Sequence, residues 1–264
     1  MTDYSRMTSL RDRVYIVTGG AGYLGREVCM ALASFGGSVY CVGRDPAKFS
    51  VFDEYLHNRP NQSIRFIEAD VTVEEQVERG VGTILASTGR IDGLFNNAAS
   101  SIRGIDPDMS MDEWALGLSC LVSHYFLFAR VVLREMERAK SGVIVNNASI
   151  WGVVSPDPKM YLDLKNDPPI FLPVAKAGVI QLTKYLAVLY APKGIRVNTI
   201  TPGQFPQRRG PDRPDYMREM TNRIPMGRIG TPQELAGVVS FLFSDASSYM
   251  TGQNLIVDGG YTLW

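Results

Sequence analysis

Three glycines at a fixed spacing are the first feature of the sequence that could bind a ligand. Gly19, Gly22 and Gly25 lie in the segment Thr18–Gly25, between a short apolar run and an amphipathic run. Glycines so placed permit a tight turn, close approach of the main chain to a pyrophosphate, and close packing of helix on strand. A helix that starts here adds unpaired N–H groups and the positive end of its dipole. The segment therefore predicts a dinucleotide-binding turn, because a plain turn would not need three glycines.

Short apolar runs alternate with longer amphipathic runs along most of the chain. The apolar runs predict strands at Arg13–Val17, Ser38–Val42, Ile64–Glu68, Gly93–Phe95, Gly142–Asn147, Ile195–Ile200 and Asn254–Val257. The amphipathic runs predict helices at Tyr23–Ser34, Val73–Ser87, Met111–Arg138, Val174–Ala191 and Pro232–Ser244. This order predicts an α/β, doubly wound Rossmann fold, with a parallel sheet of about seven strands and helices on both faces. We expect one domain over residues 1–264, since no linker or repeat divides the chain.

Two irregular, proline-containing segments interrupt this alternation. They are Trp151–Pro173 and Pro202–Pro225, and both follow predicted strands. Long irregular segments in a compact domain are usually functional loops, and open α/β sheets bind ligands at the carboxyl ends of their strands. We therefore expect a substrate lid around residues 203–230.

Composition excludes several classes of partner. Lys+Arg and Asp+Glu balance at 27 each, so the chain lacks the excess of positive charge that binds nucleic acid or an anionic membrane. Its three cysteines form no C-x-x-C pair, which argues against a disulfide framework or a zinc site. The N-terminal segment has no apolar signal region. We also expect no stretch to reach the ~20 apolar residues that are needed to span a bilayer. These features predict a cytoplasmic protein that binds neither nucleic acid nor a membrane.

A series of short motifs follows the glycine turn in a characteristic order. They are Ala69-Asp70-Val71, Asn96-Asn97-Ala98-Ala99, Asn147-Ala148-Ser149, Lys176-Ala177-Gly178, Arg196-Val197-Asn198, Pro202-Gly203, Thr251-Gly252-Gln253 and Asp258-Gly259-Gly260. Together with Thr18–Gly25 they resemble the short-chain dehydrogenase/reductase family from Arg11 to Gly260. The resemblance implies a nicotinamide dinucleotide cofactor and hydride transfer on a carbonyl or alcohol, with a sugar-like compound or a secondary metabolite as substrate.

The resemblance also implies which residues hold the cofactor. Asp70 and Val71 would border the adenine, Asn96 and Ala98 would line the path toward the nicotinamide ribose, and Lys176 would hold that ribose. The remaining positions carried over from the family are Gly19, Gly22, Tyr23, Leu24, Gly25, Pro202 and Gly203.

The end of the second strand bears on the choice between the two nicotinamide cofactors. An acidic residue at position 43 would bind the ribose 2′-hydroxyl of NAD(H), but Gly43 stands there. Arg44 could instead make a bidentate contact with the 2′-phosphate of NADP(H). Asp45 could contact a ribose hydroxyl or lie in a solvated turn. We therefore predict NADP(H) ahead of NAD(H).

The catalytic positions depart from the family pattern. Family members use a serine, a tyrosine and a lysine, with an asparagine on the long central helix. A phenol has an ordinary pKa near ~10, so a neighbouring ammonium is needed to stabilise its phenolate form. Ser149 and Lys176 match the serine and the lysine, whereas Leu172 stands where the tyrosine belongs and Leu121 where the asparagine belongs.

Three interpretations of this departure remain open. The protein could be a redox enzyme whose proton comes from Tyr161, from His124 or from a water held by Lys176. The cofactor could instead serve an elimination, epimerisation or cyclisation in a more apolar pocket. Finally, the chain could be a non-catalytic dinucleotide-binding protein. Tyr161 as a surface aromatic and His124 as a packed helix residue are the plainer alternatives for those two side chains.

Two further expectations concern the lid and assembly. The lid contains Arg208, Arg209 and Arg213, which could bind a carboxylate or phosphate or could simply be solvated. Apolar residues of the two long helices include Tyr125, Phe126, Phe128, Leu186 and Leu189. Some should face the sheet, and family resemblance suggests that others pack against a second subunit, giving a homotetramer or dimer.

Overall fold

The computed structural model describes residues 4–99, 108–157, 168–206 and 214–264. Within these ranges seven strands form one parallel sheet in the order β3-β2-β1-β4-β5-β6-β7. The strands are β1 Val14–Thr18, β2 Ser38–Gly43, β3 Ser63–Glu68, β4 Gly93–Asn96, β5 Gly142–Asn147, β6 Ile195–Pro202 and β7 Asn254–Val257. The predicted Rossmann architecture is confirmed, with every predicted strand present.

Helices cover both faces of this sheet. They are α1 Tyr23–Ser34, α2 Asp53–His57, α3 Glu74–Thr88, α4 Met111–Leu118, α5 His124–Ala139, α6 Phe171–Tyr190, α7 Pro214–Asn222 and α8 Pro232–Phe243. Buried residues of α3, α5 and α6 pack on one face, and those of α1 and α8 pack on the other. Side chains of β1 alternate between the two cores, because successive side chains of a strand point to opposite faces: Val14 and Ile16 face one, and Tyr15 and Val17 the other.

One predicted helix is interrupted. The run Met111–Arg138 was expected to form a single helix, but α4 and α5 are joined by the π-helical turn Ser119–Ser123. Single π-turns inside helices are often found at functional sites. Here the turn contains Leu121 and leads directly into His124 and Tyr125.

The strand order places a topological switch point between β1 and β4. The chain runs outward from β1 to β3 and then returns to β4 on the other side of β1. Open α/β sheets bind ligands in the crevice that forms at such a point, at the carboxyl ends of the strands. The ends of β1, β4 and β5 carry Thr18, Asn96 and Asn147, which begin or precede the predicted site motifs.

Two helical stretches of the described residues are more apolar than expected. Met111–Ala139 and Phe171–Lys193 are long and apolar enough, by length and composition alone, to cross a membrane. In this fold they pack on the sheet, and buried core helices pass the same test. The expectation that no run is long and apolar enough to span a membrane was therefore wrong. The cytoplasmic location, the single domain and the lid stay predictions.

Candidate active site

The glycine turn is packed tightly against the loop that follows β4. Gly19 has a φ of +62°, and a Cβ there would lie 2.9 Å from Ala98 Cα. A Cβ on Gly25 would overlap the main-chain oxygen of Gly19 and lie 3.0 Å from Asn97 Nδ2. Larger residues at these two positions would push the turn away from α1 and β4. Gly22, by contrast, is exposed and is the N-cap residue of α1.

The start of α1 suits a bound pyrophosphate. No side chain caps this helix, whereas Ser110 caps α4 through its hydroxyl and accepts a hydrogen bond from Glu113 N at 3.3 Å. Tyr23 and Leu24, in the first turn of α1, are only partly buried. Uncapped N–H groups at the positive end of a 12-residue helix form an anion site. The chain therefore fits a dinucleotide here.

A polar cluster lies at the ends of β2 and β3, where the adenosine half is expected. Asp70 accepts hydrogen bonds from Thr72 N at 2.9 Å and Thr72 Oγ1 at 2.7 Å. Burial alone would raise the pKa of Asp70, but these bonds and the charge of Arg44 lower it overall. Val71 is partly buried and packs on the core.

Arg44 is well placed for a phosphate. Its guanidinium is 76% exposed and lies 3.8 Å from Asp70 Oδ2, so the contact leaves most of its donors free. Asp45 caps the following 3₁₀ turn by accepting from Ala47 N at 3.0 Å. Asp45 therefore has a structural role, in agreement with the solvated-turn interpretation. Lys48 adds a second exposed cation 3.9 Å from Asp45.

The Thr18 hydroxyl, which sequence reasoning overlooked, holds the loop after β4. It accepts hydrogen bonds from Asn97 N at 2.9 Å and from Ala98 N at 3.0 Å. The side chain of Asn97 donates to the main-chain oxygens of Thr18 and Gly19. The end of β1, the glycine turn and the loop after β4 thus form one hydrogen-bonded unit.

Asn96 is placed differently from its expected position on the cofactor path. Its side chain is fully buried and donates to Tyr125 O at 3.2 Å and to Asn146 Oδ1 at 2.9 Å. It therefore ties α5 to the sheet. A direct contact with a cofactor would come from the partly exposed Asn97 or Ala98.

Ser149 and Lys176 are brought together by a close approach of two main chains. Ser149 is the N-cap of the 3₁₀ turn Ile150–Gly152, and its Oγ accepts from Trp151 N at 3.2 Å. A Cβ on Gly152 would lie 2.7 Å from the carbonyl carbon of Lys176, so only glycine lets this turn rest on α6. Among the described residues, the hydroxyl proton of Ser149 has no acceptor and is available for a substrate oxygen.

Lys176 is a buried cation that lacks a carboxylate partner among the described residues. Its Nζ donates to Asn147 O at 2.7 Å and to the Tyr125 hydroxyl at 3.3 Å. Burial lowers its pKa to about 7. Because an ammonium has three donors, one N–H is left without a partner among the residues that the structure describes. A group with a pKa near neutrality can both hold and release a proton at physiological pH.

Leu121 and Leu172 belong to the same apolar cluster. Leu121 is buried with Phe171 and Ala175, and the partly buried Leu172 packs against this group. Leu172 also contacts a second cluster, whose buried members are Ile150, Trp151, Met220, Ile224 and Tyr261. Positions 121 and 172, singled out in the sequence, are thus filled by packed aliphatic side chains.

His124 is engaged with the main chain and not with the cleft. Its Nε2 lies 2.9 Å from Ala98 O, and its Nδ1 lies 3.1 Å from Ser119 O in the π-turn. Burial lowers its pKa, against the opposing effect of these two carbonyls. The structure therefore supports the packed-residue interpretation of His124. Tyr161, Arg208, Arg209 and Arg213 lie outside the described residues, and Tyr161 stays a prediction.

The base of the predicted lid is fixed at the end of β6. Pro202 is buried, and Gly203 N donates to Val257 O at 2.9 Å. A Cβ on Gly203 would lie 2.5 Å from Asp258 Cα, so glycine allows the loop to cross the end of β7. This brings the Pro202-Gly203 motif to the same carboxyl edge as the glycine turn.

Comparisons with known proteins match nearly the whole chain. The family model described as Enoyl-(Acyl carrier protein) reductase matches residues 20–262. Cyclopentanol dehydrogenase of Comamonas sp. is 34% identical over 97% of this chain and 99% of its own length. The crystal structure of gox2181 has a TM-score of 0.91 and 33% identity, over 99% of this chain and all of that one.

A further solved structure is similar across the whole chain. NADPH-dependent 3-quinuclidinone reductase from Rhodotorula rubra has a TM-score of 0.88 and 28% identity, covering 100% of this chain and 96% of that one. With the glycine turn, the seven-stranded sheet and the Ser149–Lys176 pair described above, these matches lead to one conclusion: this chain belongs to the short-chain dehydrogenase/reductase family of oxidoreductases.

Proposed function

We propose that this protein is an NADP(H)-preferring oxidoreductase that acts on a ketone or secondary alcohol of a small molecule and takes its proton from Lys176. The observation that carries the proposal is the position of Lys176. Its ammonium is buried beside the Ser149 turn, one N–H is uncommitted among the described residues, and the residue one helical turn before it is the aliphatic Leu172. NADP(H), when bound, would supply or accept the hydride.

Each residue of the site then has a defined task. The Ser149 hydroxyl donates to the substrate oxygen and fixes its orientation. Lys176, or a water bound to it, gives a proton to that oxygen during reduction and takes one during oxidation. The apolar cluster around Leu121 and Leu172 excludes bulk water, which strengthens these polar contacts. Arg44 selects the phosphorylated cofactor.

Substrate class is supported by the relatives and by the lining of the site. One relative is a cyclopentanol dehydrogenase and one similar structure a 3-quinuclidinone reductase, so both names contain a cyclic alcohol or ketone. Leu172, Trp151 and Ile224 surround the Ser149 turn with apolar surface. A compact cyclic ketone or secondary alcohol fits this environment better than a heavily charged compound.

The proposal is tested by turnover of the purified protein with NADPH or NADH and a panel of cyclic ketones and alcohols, followed at the nicotinamide absorbance. Lys176→Met should lower kcat by about 10²–10⁴, the usual contribution of a general acid. Tyr161→Phe and His124→Gln should leave kcat near the parent value. Loss of turnover in Tyr161→Phe, with little loss in Lys176→Met, would assign the proton to Tyr161 instead.

A non-redox reaction is the second candidate, and the shared cluster of Leu121 and Leu172 favours it. Elimination, epimerisation or cyclisation would use the bound cofactor and an apolar pocket to position a substrate. Tight cofactor binding with no absorbance change, together with a rearranged product of unchanged redox state, would select this candidate. Binding without any product would indicate a non-catalytic dinucleotide-binding protein.

We also propose that the protein is a homotetramer or dimer. Of the apolar residues singled out on the long helices, Tyr125, Phe128 and Leu186 are buried in the chain, whereas Phe126 and Leu189 are exposed. Tyr185 and Val188 add to the exposed apolar surface of α6, with 68% and 79% of their areas accessible. Exposed apolar patches of this kind mark protein interfaces. Light scattering gives the oligomeric mass directly.

A further inference from the structure

The hydroxyl of Tyr125 belongs to a small, closed arrangement of buried polar groups. It donates to Asn147 O at 3.0 Å and accepts from Lys176 Nζ at 3.3 Å, while Lys176 Nζ also donates to Asn147 O at 2.7 Å. Three groups from three elements, α5, α6 and the end of β5, therefore contact one another. The Tyr125 side chain is completely buried.

Lys176 contacts Tyr125 both through a hydrogen bond to its hydroxyl and through a cation–π contact with its ring. Lys176 Nζ lies 3.3 Å from the hydroxyl oxygen and 5.1 Å from the ring centroid. A phenylalanine would keep the ring contact, so only the hydrogen bond depends on the hydroxyl. Because the hydroxyl proton is directed to Asn147 O, its oxygen lone pairs are free to accept from the ammonium.

Tyr125 is itself held in place by several contacts. Its main-chain oxygen accepts from Asn96 Nδ2 at 3.2 Å, and its ring packs edge-on against His124 with 4.6 Å between centroids. Ala148 and Val179 complete the surrounding cluster. A phenylalanine would fill this apolar space equally well, so packing alone does not account for the hydroxyl.

We propose that Tyr125 is a positioning residue that holds the ammonium of Lys176 against Asn147 O and directs its remaining N–H toward the cleft. This inference rests on the proposed role of Lys176 as the proton source. Without the hydroxyl, the lysine would keep one fixed acceptor, and its long side chain would gain rotational freedom. The proton would then be less well oriented toward the substrate.

Tyr125 also acts on the charge of Lys176. An acceptor beside an ammonium stabilises the charged form and opposes the effect of burial. Among the described residues, the other acceptor of the ammonium is Asn147 O on β5, which does not titrate, and His124 on α5 is a neighbouring titratable group. Removing the hydroxyl should therefore lower the pKa of Lys176 further.

The test is Tyr125→Phe, with Tyr40→Phe as the matched control. Tyr40 is also buried, but its hydroxyl contacts Ser87 and Arg65, on α3 and β3. The pKa of Lys176 is measured by NMR in the ligand-free protein carrying ¹³C-labelled lysine, with Lys176→Gln used to assign the signal. We expect the pKa to fall by about one unit in Tyr125→Phe, the size of a lost hydrogen bond to a charged group, and to stay unchanged in Tyr40→Phe.

Two outcomes would overturn the inference. The first is an unchanged pKa of Lys176 in a folded Tyr125→Phe variant, which would reduce Tyr125 to a packing residue. The second is an equal shift in both variants, which would indicate a general loosening of the core. The NMR titration needs no turnover, so it tests the role of Tyr125 even if the protein converts no ketone or alcohol. With turnover, kcat should fall in Tyr125→Phe while KM is little changed, and the pH profile should shift with the lysine.

Discussion

The ammonium nitrogen of Lys176 lies 2.7 Å from the main-chain oxygen of Asn147, the last residue of β5. Together with the bond to the Tyr125 hydroxyl, this bond attaches the one buried cation of α6 to the end of a central strand. The nitrogen is thereby held at the carboxyl edge of the sheet, where the glycine turn and Ser149 also lie. A buried cation of this kind has consequences for stability as well as for chemistry.

Stability should depend on pH through Lys176. Burial lowers its pKa from 10.5 to about 7, so between these values the unfolded chain binds a proton that the folded chain does not. The free energy of unfolding should therefore rise as pH increases from about 7 to about 10.5, with a slope of up to ~1.4 kcal/mol per pH unit from this group. Urea unfolding across this range should show that contribution in the parent and not in Lys176→Met. Lys184→Met, which changes an exposed lysine on the same helix, should keep the parental slope.

Cofactor choice should depend on Arg44. Loss of a charge-assisted contact of ~1.5–3 kcal/mol predicts that Arg44→Ala weakens NADPH binding about 10- to 100-fold. NADH lacks the 2′-phosphate, so its Kd should change little. Fluorescence titration of both cofactors measures the difference. Arg59→Ala, which changes an arginine that stacks on Tyr55, is the control. A parent protein that binds NADH tenfold more tightly than NADPH would contradict the assignment.

A substitution at Gly43 should shift the cofactor preference from NADP(H) toward NAD(H). A Cβ at this position would meet only the Phe66 ring, at 3.4 Å and beyond, so a side chain fits without displacing the main chain. Gly43→Asp should accept a hydrogen bond from the ribose 2′-hydroxyl of NADH and repel a 2′-phosphate. The ratio of the two Kd values should therefore shift toward NADH. An unchanged ratio in a folded variant would place the adenosine elsewhere.

A phenol one helical turn before Lys176 should increase turnover. Leu172 precedes Lys176 by one helical turn on α6, so Leu172→Tyr would place a hydroxyl on the same helix face as the ammonium. A general acid contributes about 10²–10⁴ in rate, and part of this should appear as a higher kcat. Leu172→Phe is the matched control, because it adds the ring without the hydroxyl. Equal rates in the two variants would mean that proton transfer does not limit the reaction.

The glycine turn should tolerate no side chain at position 25. Gly25→Ala would overlap the Gly19 main chain, so we expect loss of cofactor binding together with a lower melting temperature. Gly82→Ala is the matched control, since a Cβ on this exposed residue of α3 would meet nothing within 4 Å. It should stabilise the helix by about 0.8–1 kcal/mol. Both effects are read from thermal unfolding with and without cofactor.

Strand positions and the glycine turn could be predicted because both depend on local pattern. Apolar runs bounded by polar or glycine residues predicted strands at Gly142–Asn147 and Asn254–Val257. The structure has β5 and β7 at these same bounds. The start of α1 at Tyr23 followed from the glycines that precede it. In each case neighbouring residues in sequence carry the signal.

Other features depend on contacts between distant residues and could not be predicted. The π-turn before α5 is accompanied by a contact of the His124 ring with Ser119 O and Ala98 O, which no periodicity reveals. Asn96 was expected to line the cofactor path, but its side chain points into the helix–sheet interface. Tyr125 was counted among the apolar residues of its helix, because its partner Lys176 is far away in sequence.

The uncapped start of α1 makes nucleotide part of the folding equilibrium. A pyrophosphate bound there would satisfy N–H groups that no side chain of this helix reaches. Folding and cofactor concentration are therefore linked, and a cofactor present at 100 times its Kd adds about 2.7 kcal/mol to the free energy of unfolding. At a lower cofactor concentration, a larger fraction of the molecules is unfolded and open to proteolysis. The abundance of the protein should therefore follow the concentration of its cofactor.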